Sequence, residues 1–147
     1  MRMLSYLSNA QLPALERKAS IQQLMEVAQK RNDELEISGV LFLRGNTFLQ
    51  TIEGPDDALK EVFQSIVADS RHNSICFLVS EAIERRRFSG WSLECFHDHG
   101  YSTDYDGTLQ EINKYFKDEA CFSASNVYSY FFELADELAP YRLLKAA

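Results

Sequence analysis

Five segments of the chain have the apolar patterning of β-strands. Residues 2–8 alternate between two faces, with Leu4 and Tyr6 on the same side. The run from Val40 to Leu43 is apolar on both faces, which is typical of a strand in the middle of a covered sheet. A two-residue hairpin turn fits the Gly-Asn pair that follows this strand. The predicted strands are residues 2–8, 37–44, 47–53, 74–80 and 91–96.

Helical spacing predicts one helix after the first strand. The pattern S-x-x-Q from Ser20 to Gln23 predicts a capping box, and apolar residues follow at intervals of three and four. This helix is expected to end near Arg31-Asn32.

A second helix is predicted after Gly54, with Pro55 at its first position. Asp56 and Asp57 favour the positive end of that helix. Its apolar stripe consists of Leu59, Val62, Phe63, Ile66 and Val67. The element order β-α-β-β-α-β-β predicts an α+β fold, a ferredoxin-like sheet with both helices on one face.

The chain changes character near residue 98. Residues 1–97 hold 13 acids and 11 bases, whereas residues 98–147 hold nine acids and four bases. Two helices are predicted in this second part, at residues 104–117 and 125–138, and Pro140 closes the second. Their aromatic residues need a surface to cover, which the open face of the sheet or a subunit interface would provide. We therefore predict a compact domain over 1–97 and a helical extension over 98–147.

Composition limits the classes of partner. The net charge of −7 and the pI of about 4.9 argue against nucleic acid or an anionic membrane as the main partner. No apolar run is long enough for a membrane helix, and the N-terminus lacks the apolar core of a signal peptide. The cysteines Cys76, Cys95 and Cys121 are odd in number and far apart, which indicates reduced thiols in a cytoplasmic protein.

Motifs for catalysis and metal binding are absent from the sequence. It contains no G-x-S-x-G, no H-E-x-x-H and no phosphate-binding loop. The three histidines lack zinc-ligand spacing with the cysteines. The run of three arginines at 85–87 is either an anion site or, more simply, a solvated bend between strands.

Gln50 is the polar residue that the strand pattern does not explain. It shares a face with Phe48 and Ile52, and the hairpin register would place Leu41 opposite it. A buried amide without partners costs about 1–3 kcal/mol, so Gln50 needs a hydrogen-bonding partner.

Other polar residues lie where a partner for Gln50 would be found. Tyr6 is on a strand face and Asn32 is at the predicted end of the first helix, although a core aromatic and a helix C-cap are simpler interpretations. The stretch containing Asp69, Arg71 and His72 follows the second helix and could equally be a polar loop. Two helices over the sheet would bring Tyr6, Asn32 and Gln50 toward one gap, where a flat polar ring would satisfy all three.

Several stretches, in this order, resemble the BLUF family of flavin-based blue-light sensors over about residues 2–97. The combination of FLQ-x-x-EG with a downstream D-x-RH and F-x-x-WS is fairly specific. The stretches are SYLS with Tyr6, KRNDELEISGVLF with Asn32 and Gly39, NTFLQTIEGP with Gln50 and Glu53-Gly54, IVADSRHNS with Asp69, Arg71 and His72, and RRRFSGWSLE with Phe88 and Trp91.

The resemblance implies a flavin between the two helices. Asn32 would then bond the polar edge of the isoalloxazine ring, and Gln50 would lie between Tyr6 and the N5/O4 edge. The ring would be sandwiched by Leu24 and Ile66. The ribityl and phosphate part, or its entrance, would be lined by Asp69, Arg71 and His72. FAD is the usual occupant in the family, but FMN or riboflavin would make the same ring contacts.

The resemblance also implies a mechanism. Light would drive proton-coupled electron transfer from Tyr6 and a rearrangement of the Gln50 hydrogen bonds, giving a reversible red-shifted state. Trp91 would either take part in signalling or compete as an electron donor, or it simply closes the sheet edge. The family often has methionine two places after this tryptophan, where this chain has Leu93, which lacks a thioether.

The expected protein is therefore a photoreceptor rather than an enzyme, since residues 98–147 have no room for a cyclase, phosphodiesterase or DNA-binding domain. Its signal would pass to a downstream signalling or transcription-control protein or through a change in a homo-oligomer. The main alternative is a light-insensitive ferredoxin-like module for protein interaction or oligomerisation. An acylphosphatase-like hydrolase fits poorly, because the segment after Tyr6 has neither glycine nor arginine.

Overall fold

A computed structural model describes residues 1–98, 104–115 and 123–143. The strands are β1 (Arg2–Ala10), β2 (Ser38–Arg44), β3 (Thr47–Gly54), β4 (His72–Ala82) and β5 (Glu94–Asp98). The helices are α1 (Arg17–Glu34), α2 (Asp56–Ala68), α3 (Tyr105–Tyr115) and α4 (Ala124–Glu137), with 3₁₀ turns at Ala14–Glu16 and Ala139–Tyr141. This order confirms the predicted α+β, ferredoxin-like plan. Residues 116 and 117, at the end of the helix predicted over 104–117, lie outside the described residues.

The five strands form one mixed sheet in the order β4-β1-β3-β2-β5. All neighbouring pairs are antiparallel except β2 and β5, which are parallel. The hairpin register is the predicted one, with Arg44 opposite Thr47 and Leu41 opposite Gln50. Gly45, at the first position of the turn, has a φ of 58°, a conformation that glycine adopts without steric cost.

Helix α1 begins earlier than the S-x-x-Q pattern predicted. Ser20 lies inside the helix, and no side-chain hydrogen bond caps its first turn. The 3₁₀ turn at Ala14–Glu16 leads directly into residues 17–19, Arg-Lys-Ala, which are good helix formers. Asn32 also lies within the helix rather than at its C-cap. The predicted capping box and the predicted end near residues 31–32 are therefore wrong.

Several other element boundaries also differ from the prediction, including the starts of α2 and β5. Pro55 is the N-cap of α2 rather than its first helical residue. Strand β5 begins at Glu94, so Trp91 precedes it. Just before β5, two backbone carbonyls accept hydrogen bonds from side chains of α1: Asn32 donates to Ser92 O and Gln29 donates to Leu93 O.

The sheet is covered on both faces. Helices α1 and α2 pack on one face, where their apolar residues meet those of the strands; the members include Ile21, Met25, Leu41, Leu43, Leu93, Leu4, Ile52, Leu59 and Val62. Helices α3 and α4 pack on the other face, which confirms the first of the two surfaces expected for the aromatic helices. The members of that core include Met3, Leu7, Phe42, Leu49, Ile112, Val127, Phe131 and Leu134.

Among the described residues, no helix is both long enough and apolar enough to cross a membrane. The same residues contain no group of three or more His, Cys, Asp or Glu side chains arranged to hold a metal ion. Among the predicted thiols, Cys76 is half-buried and Cys95 is buried, and both are free. His99 and Cys121 lie outside the described residues.

Candidate functional site

A cavity lies between α1, α2 and the sheet. Seven of the residues predicted from the sequence line it: Tyr6, Leu24, Gln50, Ile66, Asp69, Arg71 and His72. Seven others line it too: Val27, Ala28, Arg31, Leu41, Phe48, Ser65 and Leu93. The cavity volume is about 70 Å³, whereas ligand pockets commonly enclose about 300–1,000 Å³.

Tyr6 and Gln50 form the polar centre of this cavity. They lie directly opposite each other on β1 and β3, and both are buried. The Tyr6 hydroxyl donates a hydrogen bond to Gln50 Oε1. Burial raises the pKa of the Tyr6 phenol well above its ordinary value, although the positive charge of Arg31 acts in the opposite direction. The phenol is therefore protonated and donates, which gives Gln50 the partner that its apolar neighbours could not supply.

The backbone of Gln50 is fixed from the opposite face of the sheet. Ser5 Oγ donates to the main-chain oxygen of Gln50 at 3.1 Å, and Thr51 Oγ1 donates to Ser5 Oγ at 3.0 Å. On the cavity side, Leu41 pairs opposite Gln50 and Phe48 lies two positions before it. The amide is thus held in an apolar wall, with its Oε1 directed to Tyr6.

Asn32 is buried beside the cavity but is not part of its lining. It is 1% exposed, and its Nδ2 donates to Ser92 O at 2.6 Å. No partner for its Oδ1 is found within the described part of the chain. Since an unpaired buried acceptor costs about 1–3 kcal/mol, this oxygen is a position where a ligand N–H would be stabilising.

Asp69 and Arg71 form an ion pair at the cavity wall. The Arg71 guanidinium contacts both carboxylate oxygens of Asp69, with Nη2 to Oδ2 at 2.6 Å. Hydrogen bonding to Arg71 holds the pKa of Asp69 below its ordinary value, and the same bond raises the pKa of Arg71. The pair fixes Arg71 in one orientation.

His72 connects the start of β4 to β1 and α2. Its Nε2 lies 2.5 Å from the main-chain oxygen of Ile66, and its Nδ1 lies 2.7 Å from Ser8 Oγ. A carbonyl only accepts, so Nε2 carries a proton. The ring is therefore held in place by protein contacts, with one edge on the cavity.

Arg31 was not predicted as a site residue. It lines the cavity, and its Nε is buried without a hydrogen-bonding partner among the described residues. Burial lowers the pKa of its guanidinium, while Tyr6 and Asp69 act in the opposite direction. The sequence did contain a signal, because Leu24, Ala28 and Arg31 recur at helical spacing on one face of α1.

Trp91 and Leu93 lie on different sides of the chain. Leu93 is fully buried and lines the cavity. Trp91 is outside it, stacked on Phe88 with ring centroids 5.5 Å apart and with the Arg142 guanidinium 5.4 Å from its ring centre. The structure thus brings Leu93 to Gln50 and Tyr6 but leaves Trp91 away from them, and a photochemical role for Trp91 stays a prediction.

Comparison with known proteins identifies the class. The family model of BLUF proteins, described as sensors of blue light using FAD, matches residues 1–94. That match covers more than half of the chain, so the chain belongs to the BLUF family of flavin-binding blue-light sensors.

Individual relatives agree with this assignment. The blue light- and temperature-regulated antirepressor BluF of Escherichia coli is 32% identical over 76 residues, which are 52% of this chain and 19% of BluF. The dark-state structure of the BLUF protein BlrB is 31% identical with a TM-score of 0.68, covering 93% of this chain and 96% of BlrB. Klebsiella pneumoniae BlrP1 with FMN and cyclic diGMP is 30% identical with a TM-score of 0.57, covering 77% of this chain and 29% of BlrP1. The matches cover only 10% to 19% of the length of the curated relatives.

The residues in and beside this cavity have the chemistry to hold a flavin. The unpaired Asn32 Oδ1 suits a ring N–H, and the Gln50 amide offers its Nε2 as a donor to the ring, since Oε1 accepts from Tyr6. Apolar side chains of α1 and α2, including Leu24 and Ile66, provide surfaces for the ring faces. The guanidinium of Arg31 adds positive charge for an anionic part of the ligand.

Proposed function

We propose that the chain is a blue-light photoreceptor in which Tyr6 and Gln50 form the light-responsive pair. The observation that carries this proposal is the hydrogen bond from the buried Tyr6 hydroxyl to Gln50 Oε1 inside the cavity. A bound flavin supplies absorption of blue light and an oxidising excited state. The remaining steps belong to the chain's own residues.

Tyr6 is the residue placed to give up an electron. Oxidation makes a phenol strongly acidic, and the Tyr6 proton already has an acceptor at Gln50 Oε1. An amide has a donor end and an acceptor end, so rotation or tautomerisation of Gln50 exchanges the groups presented to Tyr6 and to the ligand. When the electron and proton return to Tyr6, the new arrangement of Gln50 persists and then relaxes in the dark.

The surrounding residues hold the pair and the ligand. Asn32 would bind the polar edge of the ring, Leu24 and Ile66 would cover its faces, and Asp69, Arg71 and His72 would line the side of the ribityl chain. The proposed occupant is FAD, in agreement with the family description, although the neighbour BlrP1 holds FMN. Equilibrium binding of FAD, FMN and riboflavin to the apoprotein would separate the three: tighter binding of FAD supports this choice, and equal affinities contradict it.

The output is proposed to be a protein contact rather than chemistry. The chain's relatives include an antirepressor and photoactivated adenylate cyclase subunits, so domains of this family occur in proteins with different outputs. We propose that residues 1–97 sense light and that the acidic helical extension at 98–147 passes the signal to a separate protein or to a second copy of the chain. Size-exclusion chromatography with light scattering, in darkness and under blue light, tests the homo-oligomer: a monomer in both conditions contradicts it.

The experiment for the function itself is absorption spectroscopy of the Tyr6→Phe variant. Flavin binding with loss of the light-induced red shift supports the proposal. A normal photocycle in that variant contradicts it, and a wild-type protein that binds flavin without any shift would favour the interaction module.

A further inference from the structure

A fully buried carboxylate lies on the face of the sheet opposite the cavity. Glu53 of β3 is 0% exposed and accepts four hydrogen bonds. Ser38 Oγ and the Phe88 N–H donate to Oε1 at 2.9 and 2.6 Å. The Arg87 N–H and the Tyr128 hydroxyl donate to Oε2 at 3.0 and 2.6 Å. A buried carboxylate is tolerated only when its oxygens are satisfied, and these four donors meet that requirement.

The four donors come from three separate parts of the chain. Ser38 belongs to β2, Arg87 and Phe88 to the loop of residues 83–93, and Tyr128 to α4. Burial first, and then the hydrogen bond to Glu53, raises the pKa of the Tyr128 phenol well above its ordinary value, so the hydroxyl stays a donor. Glu53 therefore joins β2, β3, the 83–93 loop and α4 at one point.

The other end of the same loop is held by the cavity helix. Asn32 and Gln29 of α1 donate to the main-chain oxygens of Ser92 and Leu93. Leu93 itself lines the cavity beside Gln50. The loop therefore contacts the cavity wall at its end, through Leu93, and Glu53 near its middle, through Arg87 and Phe88.

Several other described contacts of α4 with the body of the protein are less directional than the hydrogen bond from Tyr128 to Glu53. Apolar packing, including the Phe88 ring against Phe132 at 4.9 Å, tolerates small displacements. The ion pair of Arg44 with Glu137 is 3.8 Å long and its acid is 64% exposed, so it contributes little. A hydrogen bond to a carboxylate is strong and weakens steeply as its angle changes.

From this geometry we propose that Glu53 is a positioning residue that holds α4 and the 83–93 loop together on the sheet, and that the Tyr128 hydroxyl is the contact through which α4 responds to the state of the cavity. The inference rests on the proposed photoreceptor function.

Hydrogen exchange of the full-length, flavin-loaded chain tests this inference, in darkness and under blue light. The variants are Tyr128→Phe, which removes one hydroxyl, and Tyr130→Phe, the same change on the same helix at a residue that is not a donor to Glu53. In darkness, the α4 amides of Tyr128→Phe are expected to exchange about tenfold faster than those of the wild type, because a bond to a charged group is lost. Light is expected to accelerate α4 exchange in the wild type and in Tyr130→Phe, but not further in Tyr128→Phe.

Two results would overturn the inference: an unchanged light–dark difference in the α4 amides of Tyr128→Phe, or no such difference in the wild type. The Glu53→Gln variant, which replaces two accepting oxygens with one, should reproduce the Tyr128→Phe result. If Glu53→Gln does not fold, the Tyr128→Phe result alone tests the inference. Absorption spectra of the same samples keep the two proposals apart. A missing red shift in the wild type counts against the photoreceptor, whereas a normal red shift with unresponsive α4 counts against the role of Tyr128.

Discussion

The side chains of Tyr6 and Gln50 meet across two neighbouring strands, and the phenol donates to the amide oxygen. Each residue would be costly without the other, since both are buried among apolar side chains. The hydrogen bond thus stabilises the cavity wall. It also places the Tyr6 hydroxyl, a proton donor, next to the Gln50 amide, whose acceptor and donor ends can exchange positions.

Replacing Tyr6 with phenylalanine is expected to keep flavin bound and to abolish the light-induced red shift. The ring still fills its place on β1, but no hydroxyl remains to pass a proton to Gln50. Difference spectra before and after blue light measure the effect. Tyr141→Phe is the control, because Tyr141 is 41% exposed and outside the cavity; a persistent shift in Tyr6→Phe would remove Tyr6 from the mechanism.

The Gln50→Leu variant is expected to lose the red shift for a different reason. The phenol of Tyr6 is still present, but the amide that rearranges is gone. The Tyr6 hydroxyl also loses its acceptor in a buried site, so the apoprotein should lose about 1–3 kcal/mol of unfolding free energy. Urea unfolding and the difference spectrum test the two effects, with the exposed Gln22→Leu as the control; a normal red shift in Gln50→Leu would contradict the account of this residue.

The pairing of Asp69 with Arg71 predicts a pH dependence of stability. The bond to Arg71 places the pKa of Asp69 in the folded protein below its ordinary value of 3.8. A carboxyl with a lowered folded-state pKa stabilises the fold at pH values above 3.8, and this contribution is lost as the pH falls through the folded-state pKa. The stability difference between wild type and Asp69→Asn should therefore be constant near neutral pH and shrink in acid.

Urea unfolding at a series of pH values measures this difference. Asp136→Asn, at an exposed position on α4, is the matched control. A wild-type to Asp69→Asn difference that grows on acidification would show that the ion pair does not have the assigned effect.

Much of the fold followed from local pattern. Alternation and apolar runs indicated all five strands, and the short Gly45-Asn46 turn set the register that puts Leu41 opposite Gln50. The start of α1 did not follow, because S-x-x-Q at Ser20 is a purely local pattern and the helix-forming residues before it extended the helix. Strand β5 was misplaced by three residues at its start; the carbonyls of Ser92 and Leu93 there accept hydrogen bonds from α1, which is distant in sequence and therefore invisible to a local pattern.

The candidate site was predicted less completely than the fold. Spacing and the family resemblance together indicated seven of the residues that line the cavity. Arg31 was missed because a charged residue on a helix is ordinarily solvated. The bond between Glu53 and Tyr128 joins residues 75 positions apart, so no local pattern could reveal it. Tyr128 is one of the aromatic residues of the helix predicted over 125–138; helical spacing predicts that its ring is buried but does not predict a partner for its hydroxyl.

Leu93 is expected to be important for stability as well as for the cavity. It is fully buried, and truncation of such a leucine to alanine typically costs about 2–5 kcal/mol. Leu93→Ala should therefore lower the midpoint of urea unfolding substantially. Leu15→Ala is the control, because Leu15 is fully exposed; equal midpoints for the two variants would show that Leu93 is not part of the packed wall.

The most direct test of the central claim is the visible absorption spectrum of the purified wild-type chain in darkness, after blue light, and during dark recovery. The wild-type flavin spectrum is expected to shift to the red and return, with Tyr6→Phe and Gln50→Leu remaining unshifted. A wild-type protein that binds flavin but keeps the same spectrum in light and darkness would contradict it.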